Sequence, residues 1–378
     1  MKSNFMIAPN LPYAVALGTT AFAIAFAGFM DADPSLFLYD RFFVNERKLK
    51  RFFQGKSIWI TGASSGIGRE LAVRASRYGV KNLILTGRSS ERLQIVADYC
   101  SDENKKLSSD DASLSSTISV LPLDMTAPMD EFDNAISALE RILGQDNLDC
   151  VLLNAGRGQL KPADRTSSST TSEIFQINAL APIALTQQLF ERGILKKTRG
   201  KQQLVVTSSV GALVGLPLSS SYAGSKHAVH GYFNTLRAEN NWLDIKLVCP
   251  GTIDTSFHNS YIGGSGPRAE IANNSSSDDR KQTRKSGSST SSNTSTNSNK
   301  LKMSIDRCVR LYMSSLLLKN SEFWIAGQPM LSGLYINRYF PGIFQALLAK
   351  VGTLRLKAWE EGKDLYDPET WKEMGKKK

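Results

Sequence analysis

Histidine and cysteine are scarce in this chain: three of the former (His227, His230, His258) and four of the latter (Cys100, Cys150, Cys249, Cys308). Three scattered histidines leave a metal centre or a histidine-driven nucleophilic triad without its usual donors, so no metal is expected. The cysteines are far apart and fit no C-x-x-C or ligand spacing; they read as free buried thiols, not as a disulfide framework. Acidic residues are also short, 35 against 46 basic ones, which leaves a net charge of +11. That balance suits an anionic partner such as a membrane surface, a dinucleotide phosphate or nucleic acid. The basic residues are scattered, gather toward the chain ends and lack an aromatic-interleaved stripe, so nucleic acid ranks last and is not expected as a partner.

Long apolar runs are equally rare. Charge is missing from Met6 to Met30, and Leu11 to Met30 is long enough to cross a hydrocarbon core of ~30 Å as a helix before Asp31 and Asp33 end it. A cleaved signal peptide is the alternative, since Ala25-Phe26-Ala27 resembles a cleavage site. Lys2 alone supplies its basic flank, however, and the apolar part is long, so residues 1–30 read as a retained single-pass anchor. Arg41, Arg47, Lys48, Lys50 and Arg51 follow it and place the body in the cytosol. Residues 31–54 read as a juxtamembrane segment on headgroups or as a helix covering the domain. Between Gly263 and Lys300 apolar residues almost vanish; residues 264–300 read as a disordered Ser-rich insertion near the position of a substrate lid. Its sequons at Asn273, Asn274 and Asn293 can be glycosylated only if the domain is luminal.

The remaining chain alternates strand and helix patterns, which makes the fold class α/β, with one domain over 55–263 completed by 301–330. A strand at Ser57–Ile60 runs into Thr61-Gly62-Ala63-Ser64-Ser65-Gly66-Ile67-Gly68 and then a helix over Arg69–Tyr78. Gly62 allows the tight turn, Gly66 lets backbone approach a pyrophosphate, and Gly68 permits close packing of a helix whose N-terminus attracts phosphate; Ser64, Ser65 and Ile67 complete the cradle. The second strand, Asn82–Thr86, ends in Gly87-Arg88 where an acid usually meets a ribose 2′-hydroxyl. A guanidinium there suits a 2′-phosphate, so NADP(H) is expected over NAD(H). Ser89 caps a helix over Ser90–Cys100, and Ser101–Thr117 reads as a surface loop. The third strand, Ile118–Leu123, delivers Asp124 to an adenine amino group or to a helix cap. After a helix over Met129–Leu143, the fourth strand, Cys150–Leu153, ends in Asn154-Ala155-Gly156, small enough for a nucleotide to lie against.

A helix over Ser172–Phe190 is interrupted by Asn178 and Pro182; Asn178 forms a local backbone bond, a kink, or a water site on a proton path. The strand Leu204–Val206 leads to Ser208 and Ser209, and Tyr222 lies thirteen residues beyond Ser209 with Lys226 four further on. That spacing sets phenol and ammonium on one helical face. Y-x-x-x-K alone also describes a core tyrosine with a surface lysine. In this context a neighbouring cation brings the phenol's pKa down from ~10 toward proton exchange with a substrate oxygen. A strand at Lys246–Cys249 ends in Pro250-Gly251, and the turn closes over a nicotinamide carboxamide with Thr255 in contact. A helix over Met303–Lys319 and a strand over Glu322–Ala326 finish the core. Met330–Leu356, broken by Arg338, Pro341, Lys350 and Arg355, is too interrupted to span a bilayer. Residues 331–378 read as a membrane-interfacial extension lining the substrate entrance, or as a substrate-domain helix.

TGASSGIG at Thr61 to Gly68, Asp124, Asn154-Ala155-Gly156, Asn178, Ser209, Tyr222 with Lys226, and Pro250-Gly251 together resemble the short-chain dehydrogenase/reductase family in order and spacing. The likeness is nearest to its membrane-anchored member 7 group, through SSSYAGSKHAVHGYFNTLRAE, KMSIDRCVRLYMSSLL and EFWIAGQPML. It departs from the usual NNAG at Leu153. The resemblance implies a Rossmann fold, a doubly wound parallel seven-stranded sheet of order 3-2-1-4-5-6-7. It also implies a tetrad: Tyr222 as acid/base, Lys226 lowering its pKa and gripping the ribose, Ser209 holding the carbonyl oxygen, and Asn178 ordering a water linked to Lys226. The group implies NADPH-dependent reduction of lipophilic carbonyls such as retinoids, steroids and xenobiotic ketones at the endoplasmic reticulum membrane. A 3-keto lipid-chain reductase and a catalytically silent membrane adaptor are the alternatives, and a homodimer is the assembly considered.

Overall fold

The structure is a computed structural model and describes residues 28–108, 116–197, 201–257, 261–262 and 302–376. The anchor expected at 1–30, apart from its last residues, and the 264–300 insertion with its sequons lie outside the described residues. Among the described residues no helix is long and apolar enough to cross a membrane.

Seven parallel strands form one sheet of order β3-β2-β1-β4-β5-β6-β7. They are β1 (Ser57–Thr61), β2 (Asn82–Gly87), β3 (Thr117–Pro122), β4 (Cys150–Leu153), β5 (Gln203–Thr207), β6 (Asp244–Pro250) and β7 (Glu322–Ile325). The inner strands are short runs of Val, Ile and Leu because helices cover both faces of the sheet and leave no side for polar residues. β1, β2, β4 and β5 are buried at every position. Strand order reverses between β1 and β4, which pair in parallel from Ile58↔Cys150 to Ile60↔Leu152. A crevice opens there at the carboxyl ends, and it is where ligands bind in sheets of this kind.

One face is covered by α3 (Gly66–Arg77), α4 (Ser90–Ser108) and α9 (Ile305–Leu317), whose Leu71, Val96 and Leu311 meet Ile58, Leu83 and Phe323. The other carries α5 (Met129–Leu143), α6 (Ser168–Phe175), α7 (Ala181–Glu191) and α8 (Ser220–Glu239), which pack Phe132, Leu185 and Phe233 on Trp59, Val151 and Leu204. The helix after Ser89 runs eight residues past the expected end at Cys100. Its polar extension is stitched down by Glu103 to Arg77 and by buried Asn104, which bonds the Ser76 carbonyl and Ser116. The helix expected over 172–190 is two α-helices joined by a π turn at Gln176–Leu180, which contains Asn178.

Two short N-terminal helices, α1 (Pro34–Phe43) and α2 (Glu46–Phe53), lie across α9, with Leu36, Leu49 and Phe53 in the core. Asp40 receives Arg307 at 2.6 Å, Arg310 at 2.8 Å and Ser314 at 2.7 Å, while Asp31 also takes Arg307 at 2.7 Å. This segment therefore covers the domain. At the other end the apolar tail divides at Phe340 into α10 (Met330–Tyr339) and α11 (Pro341–Glu360), because proline fits only the first turn of a new helix. Leu331 and Leu334 of α10 pack on Val210 and Val214, and Ala358 and Trp359 of α11 pack on Leu160 and Leu218. Tyr339, Phe340, Ile343, Leu347 and Val351 remain exposed on the outer side.

Candidate active site

A cavity of about 510 Å³ occupies the crevice at the carboxyl ends of the strands. Of the residues expected at the site, Gly62, Ser64, Ser65, Gly66, Ile67, Arg88, Asp124, Asn154, Ala155, Gly156, Ser209, Tyr222, Lys226, Pro250, Gly251 and Thr255 all line it. Gly68 and Asn178 stand behind the wall and hold it in shape.

The β1–α3 turn shows why small residues are needed. Gly62 adopts φ +68°, and a Cβ there would meet Ala155 Cα at 2.8 Å. A Cβ on Gly68 would fall 2.2 Å from the Gly62 carbonyl oxygen, so the helix can pack this tightly only with glycine. Thr61 Oγ1 accepts from the Asn154 amide at 3.0 Å and the Ala155 amide at 3.1 Å, tying the two loops together. Ser65 is the N-cap of α3 but its side chain forms no cap bond. The first amides of that helix thus remain available to an anion, with the helix dipole adding attraction. Thr255 lies over this turn, 3.7 Å from where a Gly66 Cβ would be.

Arg88 follows β2, and Arg92, one helical turn on, joins it on the wall; the two belong to the end that also holds Ser64. Arg92 escaped the sequence reading although its i,i+4 relation to Arg88 could have revealed it. Asp124 uses Oδ1 to accept from the amide and hydroxyl of Thr126, both at 2.9 Å, so it also shapes the turn after β3.

Ser209, Tyr222 and Lys226 meet at the other end. Ser209 follows β5 and its Oγ accepts from the Gly211 amide at 3.0 Å, which fixes the hydroxyl toward the cavity. The Tyr222 ring stands beside it: a Cβ on Gly211 would lie 3.4 Å from both Ser209 Oγ and Tyr222 Cε1. Lys226 is buried, and its Nζ donates to the Thr207 carbonyl at 2.9 Å while lying 3.6 Å from a Cβ position on Gly156. Thr207 is itself steadied by the buried Tyr312 hydroxyl at 2.9 Å. Asn178 Oδ1 accepts from the Arg157 amide at 2.8 Å, and its Nδ2 donates to the Arg157 carbonyl at 2.9 Å and Ser225 Oγ at 3.0 Å. Both of its Nδ2 hydrogens are therefore used in pinning the loop after β4 to α8, while Oδ1 keeps one acceptor site.

Burial decides the protonation states. It pushes the Tyr222 phenol up to about 12, with the Ser209 hydroxyl pulling the other way. It pushes the Lys226 ammonium down to about 8. Lys226 is not among the groups that move the phenol, contrary to the expectation that it acidifies Tyr222 directly. A desolvated ammonium held on a carbonyl oxygen is placed to hydrogen-bond a ribose, and the positive charge of an oxidised nicotinamide ring is what remains to acidify the phenol.

The residues present fit a dinucleotide: open helix amides for a pyrophosphate, Arg88 and Arg92 at one end, and a proton donor at the other. Sequence reasoning missed Leu216, Phe257 and Tyr261, which wall the cavity beside Tyr222, and gave Met330, Arg355 and Tyr366 no role beyond that of a tail expected to line the substrate entrance. Leu216, Phe257 and Tyr261 come from loops, Met330 opens α10, and Arg355 and Tyr366 come from α11 and its sequel, without a local motif. Tyr261 lies over Gly158, whose Cβ position is 2.1 Å from the ring, and neighbouring backbone pairs through Leu160 N to Ile262 O at 3.1 Å.

The family model for short chain dehydrogenase matches residues 56–262. Dehydrogenase/reductase SDR family member 7 of Homo sapiens is 30% identical over 310 residues, 81% of this chain and 80% of that protein. The Mus musculus protein of the same name is 32% identical over 307 residues, 81% of each. Among solved structures, a short chain dehydrogenase/reductase from Burkholderia phymatum in complex with NAD has a TM-score of 0.57 at 19% identity, over 77% of this chain and 95% of that one. An alcohol dehydrogenase from Thermococcus sibiricus complexed with 5-hydroxy-NADP has a TM-score of 0.53 at 21% identity, over 72% and 97%. The two share this fold while holding different dinucleotides. With its sheet order, its crevice and these matches, the chain belongs to the short-chain dehydrogenase/reductase family, oxidoreductases that act on small molecules with a nicotinamide dinucleotide.

Proposed function

We propose that this protein is an NADPH-dependent carbonyl reductase, reversible as an alcohol dehydrogenase, for lipophilic ketones or aldehydes of the retinoid, steroid or xenobiotic kind. The observation that carries it is Ser209 and Tyr222 side by side on the cavity wall with Lys226 buried one helical turn along. Bound NADPH supplies the hydride. Ser209 and Tyr222 hold the carbonyl oxygen, and Tyr222 delivers the proton. A phenol held near 12 stays protonated at neutral pH, which is the state needed for reduction. Lys226 fastens the ribose and stands next to the proton's return path. Leu216, Phe257 and Met330 favour an apolar substrate body. Arg88 with Arg92, where an acid would exclude it, supports a 2′-phosphate and so NADPH.

The test is NADPH oxidation with a panel of lipophilic carbonyls. Tyr222→Phe is expected to lose at least ~100-fold in kcat; equal turnover by parent and variant would overturn the mechanism. Arg88→Ala should weaken NADPH far more than NADH, and equal losses would refute the cofactor preference. We also propose residence at the endoplasmic reticulum membrane through a segment at 1–30, supported by the charge-free run from Met6 to Met30 and by the exposed apolar side of α11. Extraction of the full chain by carbonate would contradict it.

A further inference from the structure

Arg355 sits on α11 and reaches the end of the cavity that holds Ser209 and Tyr222. Its Nε is buried without a hydrogen-bond partner. A guanidinium with a structural duty is met by carboxylates or carbonyls, and a buried donor left unmatched costs stability unless something else takes it up. Among the described residues, the acids next to it along the chain are engaged elsewhere. Glu360 pairs with Arg165 at 3.4 Å, Glu361 with Lys363 at 3.3 Å, and Asp364 accepts from the Tyr366 amide at 2.8 Å.

The other cations on the cavity wall have work already. Arg157 pairs with Glu173, Lys226 bonds the Thr207 carbonyl, and Arg88 and Arg92 belong to the nucleotide end. Asp124 is the one carboxylate among the lining residues, and it lies at that nucleotide end, bonded to Thr126. Arg355 is thus a cation held in the substrate half among Leu216, Phe257, Met330 and the Tyr261–Tyr366 hydrogen-bonded pair. Tyr261 stands next to the reacting end: its ring is 5.3 Å from that of Phe257, which lies 6.5 Å from that of Tyr222.

Building on the carbonyl-reductase function proposed above, we infer that Arg355 receives a carboxylate on the substrate, which makes lipophilic oxo acids the preferred substrate class. The reacting carbonyl sits on Ser209 and Tyr222, the apolar body lies between, and the carboxylate forms a forked pair with the guanidinium, displacing no existing protein contact. Arg355 does not touch the reacting atoms; it sets which molecules stay long enough to react.

The experiment compares oxostearate with its methyl ester, the same ketone with and without the charge, as substrates of the full chain with NADPH. The acid-to-ester ratio of kcat/KM is expected to fall roughly ten- to a hundredfold in Arg355→Leu, mainly through KM for the acid. Arg355→Lys should hold an intermediate ratio, since it keeps the charge but loses the fork. Equal ratios in all three proteins would overturn the inference. A second measurement needs no turnover: stearate with NADP⁺ should raise the melting temperature of the parent and of Arg355→Lys more than that of Arg355→Leu. The same shift in parent and Arg355→Leu, or none in the parent, would also overturn it. A parent that shows the Arg355-dependent shift yet reduces no carbonyl would refute the reductase function and leave the acid pocket standing.

Discussion

Tyr222 and Lys226 share one helical face, and burial drives them in opposite directions, the phenol up to about 12 and the ammonium down to about 8. For lysine the sign is unfavourable to folding. Its pKa is lower folded than unfolded, so the cost of burying the charge is complete below pH 8 and fades as pH rises toward the ordinary value of 10.5. Lys226→Met should therefore melt several degrees higher than the parent at pH 7, with the gap closing near pH 10, while NADPH oxidation is lost; thermal melts at the two pH values check it. Stability given up at a catalytic position in this way is the usual trade. Tyr222 has the matching consequence for rate. Ketone reduction should stay level between pH 6 and 8, and oxidation of the corresponding alcohol should climb with pH as the phenol approaches deprotonation; opposite slopes would contradict the assignment of Tyr222 as the proton donor. These residues were readable in the chain because the chemistry demands fixed spacings along one strand-turn-helix unit. The roles of Arg355, Tyr261 and Tyr366 were not, because nothing local relates them to Tyr222; the path of α11 brings Arg355 and Tyr366 there, and backbone pairing of Ile262 with Gly158 and Leu160 brings Tyr261.

Elements carry the second group of expectations. The α1–α2 pair is held on α9 by a buried carboxylate as well as by Leu36, Leu49 and Phe53. Burial alone would raise the Asp40 carboxyl, yet hydrogen bonds from Ser314, Arg310 and Arg307 bring it below its ordinary 3.8. Its contribution is thus present at neutral pH and lost only as pH falls through that lowered value. Asp40→Asn should cost about 2–4 kcal/mol at pH 7, read from denaturant unfolding, with the deficit shrinking in strong acid. Gly68→Ala belongs to the same scale. Its Cβ would collide with the Gly62 carbonyl, so α3 must shift off β1, and NADPH affinity should fall by more than tenfold in a binding titration. Periodicity located each strand, and the helices α3, α5 and α9, within a few residues. It ended α4 too early because the polar run after Cys100 owes its helicity to Arg77, Ser76 and Ser116 outside it. The interruption expected at Asn178 within 172–190 is a π turn, which accompanies that side chain's capture of the Arg157 backbone.

The whole molecule is a sheet with its crevice at one edge and the C-terminal helices laid across that edge. Strand and helix alternation foretold the class and the family likeness the order of the seven strands; the tail was expected at the substrate entrance, with interface and core left as alternatives. An apolar stretch broken by Pro341 suits an interface and a core equally well. α11 does both, packing Ala358 and Trp359 inward and leaving Ile343, Leu347 and Val351 outward at successive helical turns. Replacing those three with serine should reduce cosedimentation of a chain lacking residues 1–30 with anionic vesicles while NADPH oxidation on a water-soluble ketone persists; unchanged sedimentation would remove the membrane role of this face.

The two-sidedness of α11 has a kinetic corollary. A helix wetted by acyl chains on its outer turns and by substrate beside Arg355 on its inner ones would admit a ketone laterally from the bilayer, with no passage through bulk solvent. Turnover would then scale with the mole fraction of substrate in the lipid, and adding inert phospholipid at constant total substrate would slow the enzyme by surface dilution.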